Sequence, residues 1–253
     1  MSDPYASQQG KTERALRLLS LLVAQGGGAS LGSAADALGL PLSTAHRLAA
    51  LLVRQGLLVR GDRGQYLPGW TVVELARAAD WREVLTGVAR PYARRLARKS
   101  LTTVHMGVLD GEMVTYLVKE TGAATDLFTR EGMQLEAYCS AIGKVLLAHL
   151  PDEDLQDYLR GAPFPALTSA TITDPVALRG HLREVRERGF AVDDREVAED
   201  LLCFAVPIRK PDGTLLAAIS SAGRVARRSE EKVLSDLRRC ATQIAERLFP
   251  RPA

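Results

Sequence analysis

The chain has 253 residues, 46% of them hydrophobic, and a formal net charge of +3, which fits a protein of one large or two ordinary domains. Its three cysteines, Cys139, Cys203 and Cys240, lie far apart and outside any CxxC or Cys/His spacing, which argues against a disulfide framework and a zinc site. No apolar run approaches the roughly 18–20 residues of a membrane helix, and the N-terminus lacks the apolar segment of a secretory signal. We therefore expect a cytoplasmic protein with no metal site and no membrane partner.

The excess of positive charge is concentrated near the N-terminus. Residues 1–70 hold seven Lys or Arg and four Asp or Glu, which accounts for the whole net charge of +3. An excess of three charges supports a polyanionic partner only together with a binding motif. Residues 1–11 show no apolar periodicity, so we expect a short disordered arm there, followed by a first domain over residues 12–69.

Two short helices around a Gly-Leu-Pro turn are predicted in this first domain, after a helix that begins at Thr12. The second of the pair carries an apolar stripe at helical spacing, made of Ala45, Leu48, Ala49 and Leu52. Its outward side carries hydroxyls, an imidazole and a guanidinium, at Ser43, Thr44, His46 and Arg47. This set of groups suits a DNA major groove, where Arg binds guanine and hydroxyls reach bases or phosphates. An ordinary solvated helix face is the alternative.

A two-stranded ribbon follows, predicted over residues 57–60 and 65–67 with a tight turn at Gly61–Gly64. Arg63 at the tip is placed to contact phosphate or the minor groove, although a solvated hairpin tip accounts for it equally well. A helix-turn-helix followed by such a ribbon is the layout of a winged helix-turn-helix. We predict a DNA-binding domain.

The rest of the chain is predicted as a helical linker over residues 70–99 and an α+β domain over residues 100–253. In the linker, Trp70, Leu75 and Trp81 are expected to pack either between subunits or within the chain. From residue 101 the hydrophobic period changes to that of strands, and Asp110-Gly111 between two β-rich runs indicates a hairpin. Later strands alternate with helices, one of them capped by Asp174 and ended by Gly189.

The sequence contains no recognisable catalytic motif. The stretch Ala141–Val145 invites a comparison with a phosphate-binding P-loop, but Tyr138 stands where that motif needs Gly, and Val145 where it needs Ser or Thr. The sequence contains no HExxH, no GxSxG and no GxGxxG after a strand. We expect no catalytic residue and no cofactor, while an enzyme of an unfamiliar kind stays open because convergent sites need not show a local motif.

Over nearly its whole length, from Thr12 to Phe249, the chain resembles the IclR family of bacterial transcriptional regulators. The matching stretches are Arg14–Leu19, Gly39–Leu48, Val108–Gly111, Ser140–Ala148, Thr171–Pro175 and Arg188–Asp194. The resemblance implies an N-terminal winged helix-turn-helix, a linker helix and a C-terminal GAF-like effector-binding domain with a mostly antiparallel sheet. It also implies a repressor or activator, a dimer or tetramer, that binds a roughly palindromic DNA operator under the control of a small organic acid.

By this resemblance the effector lies against the sheet, at the start of the helix that follows Ser140. The first N–H groups of that helix, at Ala141 and Ile142, form a site for a carboxylate. The resemblance places further side chains in the same pocket: Leu127, Asp193, Cys203 and Ser220.

Two departures from the family pattern bear on the effector. Glu136 and Tyr138 stand where the family usually shows Pro-x-His, and Ser220-Ser221-Ala222 stands where it often shows Ser-x-Ser. The loss of one hydroxyl and the gain of a phenol favour a larger or aromatic acid over a two- or three-carbon keto acid. The alternative function is a ligand-sensing module or enzyme whose helix-turn-helix mediates protein contacts.

Overall fold

A computed structural model describes residues 4–24, 30–122, 127–224 and 229–250, with the side chains of residues 4–9 and of Arg63 outside that description. The chain forms two compact units, one ending at Asp80 and the other beginning at Trp81. Within the described residues, none of the helices has the length and apolarity to cross a lipid bilayer.

The first unit is a winged helix-turn-helix. Its elements are α1 (Pro4–Ala24), α2 (Leu31–Ala37), α3 (Leu42–Arg54), β1 (Leu58–Arg60), a 3₁₀ turn (Asp62–Gly64), β2 (Tyr66–Pro68) and α4 (Trp70–Ala78). The predicted stripe of α3 is buried against leucines and alanines of α1 and α2. Gly39 in the turn before α3 has a φ of 60°, which glycine adopts without the steric cost of a side chain.

The expectation of a disordered arm is corrected for residues 4–11, because α1 already begins at Pro4; residues 1–3 lie outside the described residues. Proline suits the first turn of a helix, and the Ala, Gln and Lys residues that follow have good helix propensity.

The segment predicted as a helical linker, residues 70–99, consists of two helices, and the boundary between the two units falls between them. α4 lies in the first unit and buries none of its residues. The next helix, α5 (Trp81–Ser100), belongs to the second unit and buries Leu85, Ala89 and Leu96 in its core. Trp70 and Leu75 are 63% and 62% exposed, so neither belongs to a buried core.

The second unit is α+β, as expected. After α5 its elements are β3 (Thr103–Asp110), β4 (Met113–Thr121), β5 (Gln134–Glu136), α6 (Ala141–Leu147), α7 (Asp152–Leu159), α8 (Pro175–Arg188), β6 (Ala191–Asp194), β7 (Leu201–Arg209), β8 (Leu215–Arg224) and α9 (Glu230–Leu248). The strands form one antiparallel sheet in the order β5-β4-β3-β8-β7-β6. Asp174 caps α8 through Ala177 N, and Gly189 ends it with a φ of 74°.

Helices cover both faces of this sheet. α5 and α9 pack on one face around Met106, Val206 and Ile219. α6, α7 and α8 enclose the second core on the other face, with Tyr116, Leu135 and Cys203 among its residues. Because side chains alternate along a strand, β4, β7 and β8 each contribute buried residues to both cores.

Candidate functional site

A cavity lies between the sheet and the start of α6. The residues expected at the effector site all line it: Leu127, Ser140, Ala141, Ile142, Asp193, Cys203 and Ser220.

The sheet register explains why residues far apart in sequence meet there. Asp193 on β6 lies opposite Cys203 on β7, and Cys203 lies opposite Ala222 on β8. Ser220 lies opposite His105 on β3. Residues paired across strands share a face of the sheet, so all five side chains face the cavity.

The start of α6 supplies polar groups to the cavity. Ser140 is the N-cap, and its Oγ accepts the N–H of Gly143 at 3.1 Å. The first N–H groups of a helix find no acceptor inside it, and at α6 these are the N–H groups of Ala141 and Ile142.

Asp193 is the acidic group of the cavity and is only 1% exposed. Burial raises the pKa of its carboxyl to about 6, against the lowering effect of the N–H groups of Glu196 and Val197 and of nearby Lys144. Its Oδ1 accepts those two N–H groups at 2.8 and 3.3 Å.

His105 and Tyr116 line the cavity and were not predicted from the sequence. Their ring centroids are 4.8 Å apart, and His105 Nε2 is 2.8 Å from Thr129 Oγ1. Burial, with the charge of Lys119, lowers the pKa of His105 to about 3, so the ring is neutral at physiological pH. Burial also raises the pKa of Tyr116, which therefore stays a phenol. A lone His between Val104 and Met106 was the available sequence signal.

The cavity wall around Leu127 and Thr129 is held by Lys119 on β4. Lys119 Nζ donates to the carbonyl oxygens of both residues, at 2.7 and 2.6 Å. Its backbone N–H donates to Glu131, which binds Arg90 on α5. The hydrogen bonds of Glu131 therefore connect this wall of the cavity to α5, the first helix of the second unit.

Behind the cavity lies a buried ion pair between Lys144 on α6 and Glu196. Lys144 is 0% exposed, and its Nζ also donates to the carbonyl of Val192. Burial raises the pKa of Glu196, an effect that Lys144 opposes. The ion pair joins α6 to the chain immediately after β6.

Tyr138, the phenol that favoured an aromatic acid, does not line the cavity. Its hydroxyl donates to the carbonyl of Pro165 at 2.6 Å, and its ring stacks on Phe164. That part of the sequence argument is corrected. Ala222, the other departure, does line the cavity, and the phenol present there belongs to Tyr116.

In the first unit, the residues predicted to contact DNA lie near the start of α3. Ser43, His46 and Arg47 are exposed and Thr44 is half-buried, while the stripe on the opposite side is buried. The backbone of Arg63 lies in the turn between β1 and β2, and its side chain is outside the described part. The five predicted positions therefore divide between α3 and the wing.

Two family models match the chain. "Bacterial transcriptional regulator IclR C-terminal" matches residues 80–246, and "IclR helix-turn-helix domain" matches residues 12–62.

Named relatives agree with both matches. The HTH-type transcriptional regulator XynR of Escherichia coli is 31% identical over 210 residues, which is 82% of this chain and 83% of the relative. The transcriptional repressor IclR of Escherichia coli is 30% identical over 234 residues, which is 91% of this chain and 85% of the relative. A crystal structure of an IclR homolog from Microbacterium hydrocarbonoxydans, complexed with 4-hydroxybenzoate, is 27% identical with a TM-score of 0.64 and covers 95% of this chain and 100% of that one. The chain belongs to the IclR family of bacterial helix-turn-helix transcriptional regulators.

Proposed function

We propose that this regulator binds its operator through α3 and the wing, and that a small organic acid in the cavity of the second unit controls it. The observation that carries the proposal is that seven positions expected at the effector site, on five separate stretches of chain, line one cavity. The family assignment supplies the DNA-binding function. The proposal assigns no catalytic step and no cofactor to the chain.

On the DNA side, Ser43, Thr44, His46 and Arg47 are proposed to read the major groove, with Arg63 at the wing contacting phosphate or the minor groove. The exposure of Ser43, His46 and Arg47 on one side of α3 supports this proposal. Arginine binds guanine with two parallel hydrogen bonds, which gives sequence discrimination.

On the effector side, we propose that the carboxylate accepts hydrogen bonds from the N–H groups of Ala141 and Ile142 and from the hydroxyls of Ser140 and Ser220. The apolar body of the acid then lies against Leu127 and other aliphatic residues of the wall. Cys203 and Asp193 complete the polar side. The 4-hydroxybenzoate in the related Microbacterium protein and the Tyr116 ring in this cavity support an aromatic acid over a two- or three-carbon keto acid.

We also propose that the protein acts in the cytoplasm as a dimer or tetramer. A palindromic operator requires two copies of the reading helix. The exposed Trp70 and Leu75 on α4 support self-association, because large apolar side chains grouped on a surface mark interaction sites.

The DNA half is tested by selecting binding sites from a randomised duplex library with the full chain, then titrating the selected site by fluorescence anisotropy. We expect a palindromic consensus and tighter binding to it than to a scrambled duplex. Equal affinity for both duplexes would contradict the proposal and favour a helix-turn-helix used for protein contacts.

The effector half is tested by calorimetry with benzoate, 4-hydroxybenzoate, glyoxylate and pyruvate. We expect binding of the aromatic acids, and a change in operator affinity when they are present. Tight binding of only glyoxylate or pyruvate would overturn the aromatic assignment. Conversion of a bound acid into product would favour an enzyme.

A further inference from the structure

The charges around the cavity disfavour the carboxylate ligand that is proposed to bind there. Among the described residues that line the cavity there is no Lys and no Arg, and the carboxyl of Asp193 is nearly inaccessible to solvent. An incoming carboxylate would place a second negative charge within a few ångströms of the first, in a site where water screens neither.

Two cations lie close to the cavity but outside its lining: Lys144, and Lys119, whose Nζ donates to the carbonyl oxygens of Leu127 and Thr129. Lys144 lies outside the cavity lining, fully buried, and is already bound to Glu196 and to the carbonyl of Val192. Its positive charge is therefore matched by the negative charge of Glu196, so the local group of Lys144, Glu196 and Asp193 carries a net negative charge when all three are ionised.

Four other titratable groups on the elements around Asp193 have pKa values that keep them neutral at physiological pH. On β3 and α8, His105 and His181 have pKa values that burial lowers to about 3 and about 4. On β4, burial raises the pKa of Tyr116, and before α6 it raises that of Cys139 to about 12. Cys203 faces Asp193 from β7.

The two charged residues that directly follow Asp193 in the sequence pair with each other. Asp194 and Arg195 are exposed and pair with each other at 2.8 Å. They therefore form a neutral pair in solvent, where screening weakens their effect on Asp193.

We propose that the cavity binds a monoanionic acid together with one proton, which is held between the effector and Asp193. This inference rests on the proposed function, because it takes the cavity to be the effector site. Two carboxylates that share a site cannot both stay ionised, and one of them retains a proton. In the bound state that proton forms an O–H···O⁻ hydrogen bond, which converts the repulsion into an attraction.

The geometry around Asp193 permits this protonation without disturbing the fold. Oδ1 is occupied by the N–H groups of Glu196 and Val197, which leaves Oδ2 as the oxygen that carries the proton. The loop after β6 therefore keeps its hydrogen bonds in both protonation states.

The proposal gives a defined pH dependence. Free Asp193 is ionised above its pKa of about 6, so at higher pH each bound effector must take a proton from solution. By linkage, the affinity falls about tenfold per pH unit above that pKa until the pKa of the complex is reached. Below the free pKa the affinity levels off until the effector's own carboxyl titrates.

The experiment is calorimetry of benzoate and 4-hydroxybenzoate with the full chain at pH 7.5, in phosphate and in Tris buffer. These buffers differ in ionisation enthalpy, so the difference in measured enthalpy gives the number of protons taken up. We expect close to one proton per acid, and an affinity that falls between pH 6.5 and 8.5. Benzamide, a neutral ligand of the same shape, is the matched ligand control and takes up none.

Asp193→Asn is the matched protein control. Its amide oxygen accepts the same two N–H groups, while its NH₂ donates to the effector as the protonated carboxyl would. We expect this variant to bind benzoate without proton uptake, independently of pH, and more tightly than the natural chain at pH 8.5.

Two results overturn the inference, and they are distinguishable. If either acid binds with no proton uptake and no pH dependence, the shared proton is ruled out, while the assignment of an organic-acid effector is retained. Failure of the natural chain and of Asp193→Asn to bind any of the acids at pH 6 removes the organic-acid assignment itself.

Discussion

Arg90 on α5 forms two hydrogen bonds with the carboxylate of Glu131: Nη1 donates to Oε1 at 2.6 Å, and Nη2 donates to Oε2 at 3.0 Å. Hydrogen bonding to Arg90 lowers the pKa of Glu131 and raises that of the guanidinium. Glu131 also accepts the backbone N–H of Lys119, whose ammonium holds the cavity wall. One carboxylate thus connects the wall of the cavity to the helix that begins directly after the unit boundary.

Glu131→Ala is expected to loosen the wall with little effect on global stability. Exposed ion pairs contribute about 0.2–1 kcal/mol, so unfolding should change little, while the amide of Lys119 loses its acceptor. The measurement is hydrogen exchange, in which the Lys119 amide should exchange faster. Glu112→Ala, at an exposed glutamate in the turn between β3 and β4, is the control. Unchanged protection of Lys119 would show that Glu131 does not hold this segment.

Lys144→Met is expected to be strongly destabilising. It leaves Glu196 buried and without its cation, and breaking a buried pair in this way costs about 3–5 kcal/mol. The double variant Lys144→Met with Glu196→Leu removes both charges and should recover much of that loss. Urea unfolding followed by circular dichroism measures both. A single variant within about 1 kcal/mol of the natural chain would contradict a structural role for the pair.

Much of the fold of the first unit could be predicted from the sequence, because helical spacing and turn residues are local features. The spacing of Ala45, Leu48 and Leu52 defines the buried side of α3, and a single turn connects α3 to α2. The second unit depends on strand order, which local periodicity does not encode. β3 is buried on both faces over most of its length, so alternation does not show that His105 faces the cavity.

The residues proposed to bind the effector were predicted from the family resemblance, and that resemblance does not show where side chains point in this chain. Asp193, Cys203 and Ser220 stand at positions that the family shares, and the sheet register brings them together. Tyr138 was misjudged because the direction of its side chain depends on Phe164 and Pro165, which follow a separate helix. Tyr116 was missed because its proximity to His105 requires the pairing of β3 with β4.

Gly143→Ala is expected to disrupt the start of α6. A Cβ at this position would lie 2.2 Å from the carbonyl oxygen of Ala137 and 2.4 Å from its Cα, and backbone atoms cannot move aside as a flexible side chain would. We expect a lower melting temperature and loss of effector binding. Gly180→Ala on α8 is the matched control, since nothing lies within 4 Å of its Cβ and alanine should stabilise the helix by about 0.5–1 kcal/mol. Equal melting temperatures for the two variants would contradict the close approach of α6 to residue 137.

Arg47→Ala and Arg54→Ala are expected to separate base reading from phosphate contact, because both arginines are exposed on α3 but lie two turns apart. Loss of a bidentate base contact costs about 1–3 kcal/mol, or roughly 5- to 150-fold in affinity, and relaxes discrimination at one base pair. We expect this for Arg47, near the start of α3. Arg54, at its C-terminal end, is expected at most to weaken binding to all sequences alike and to lower the salt dependence by about one charge. Anisotropy titrations on the selected operator and on single-base variants, each at several salt concentrations, measure both effects. If Arg47→Ala weakened every duplex equally, the base contact would have to be assigned to Ser43, Thr44 or His46 instead.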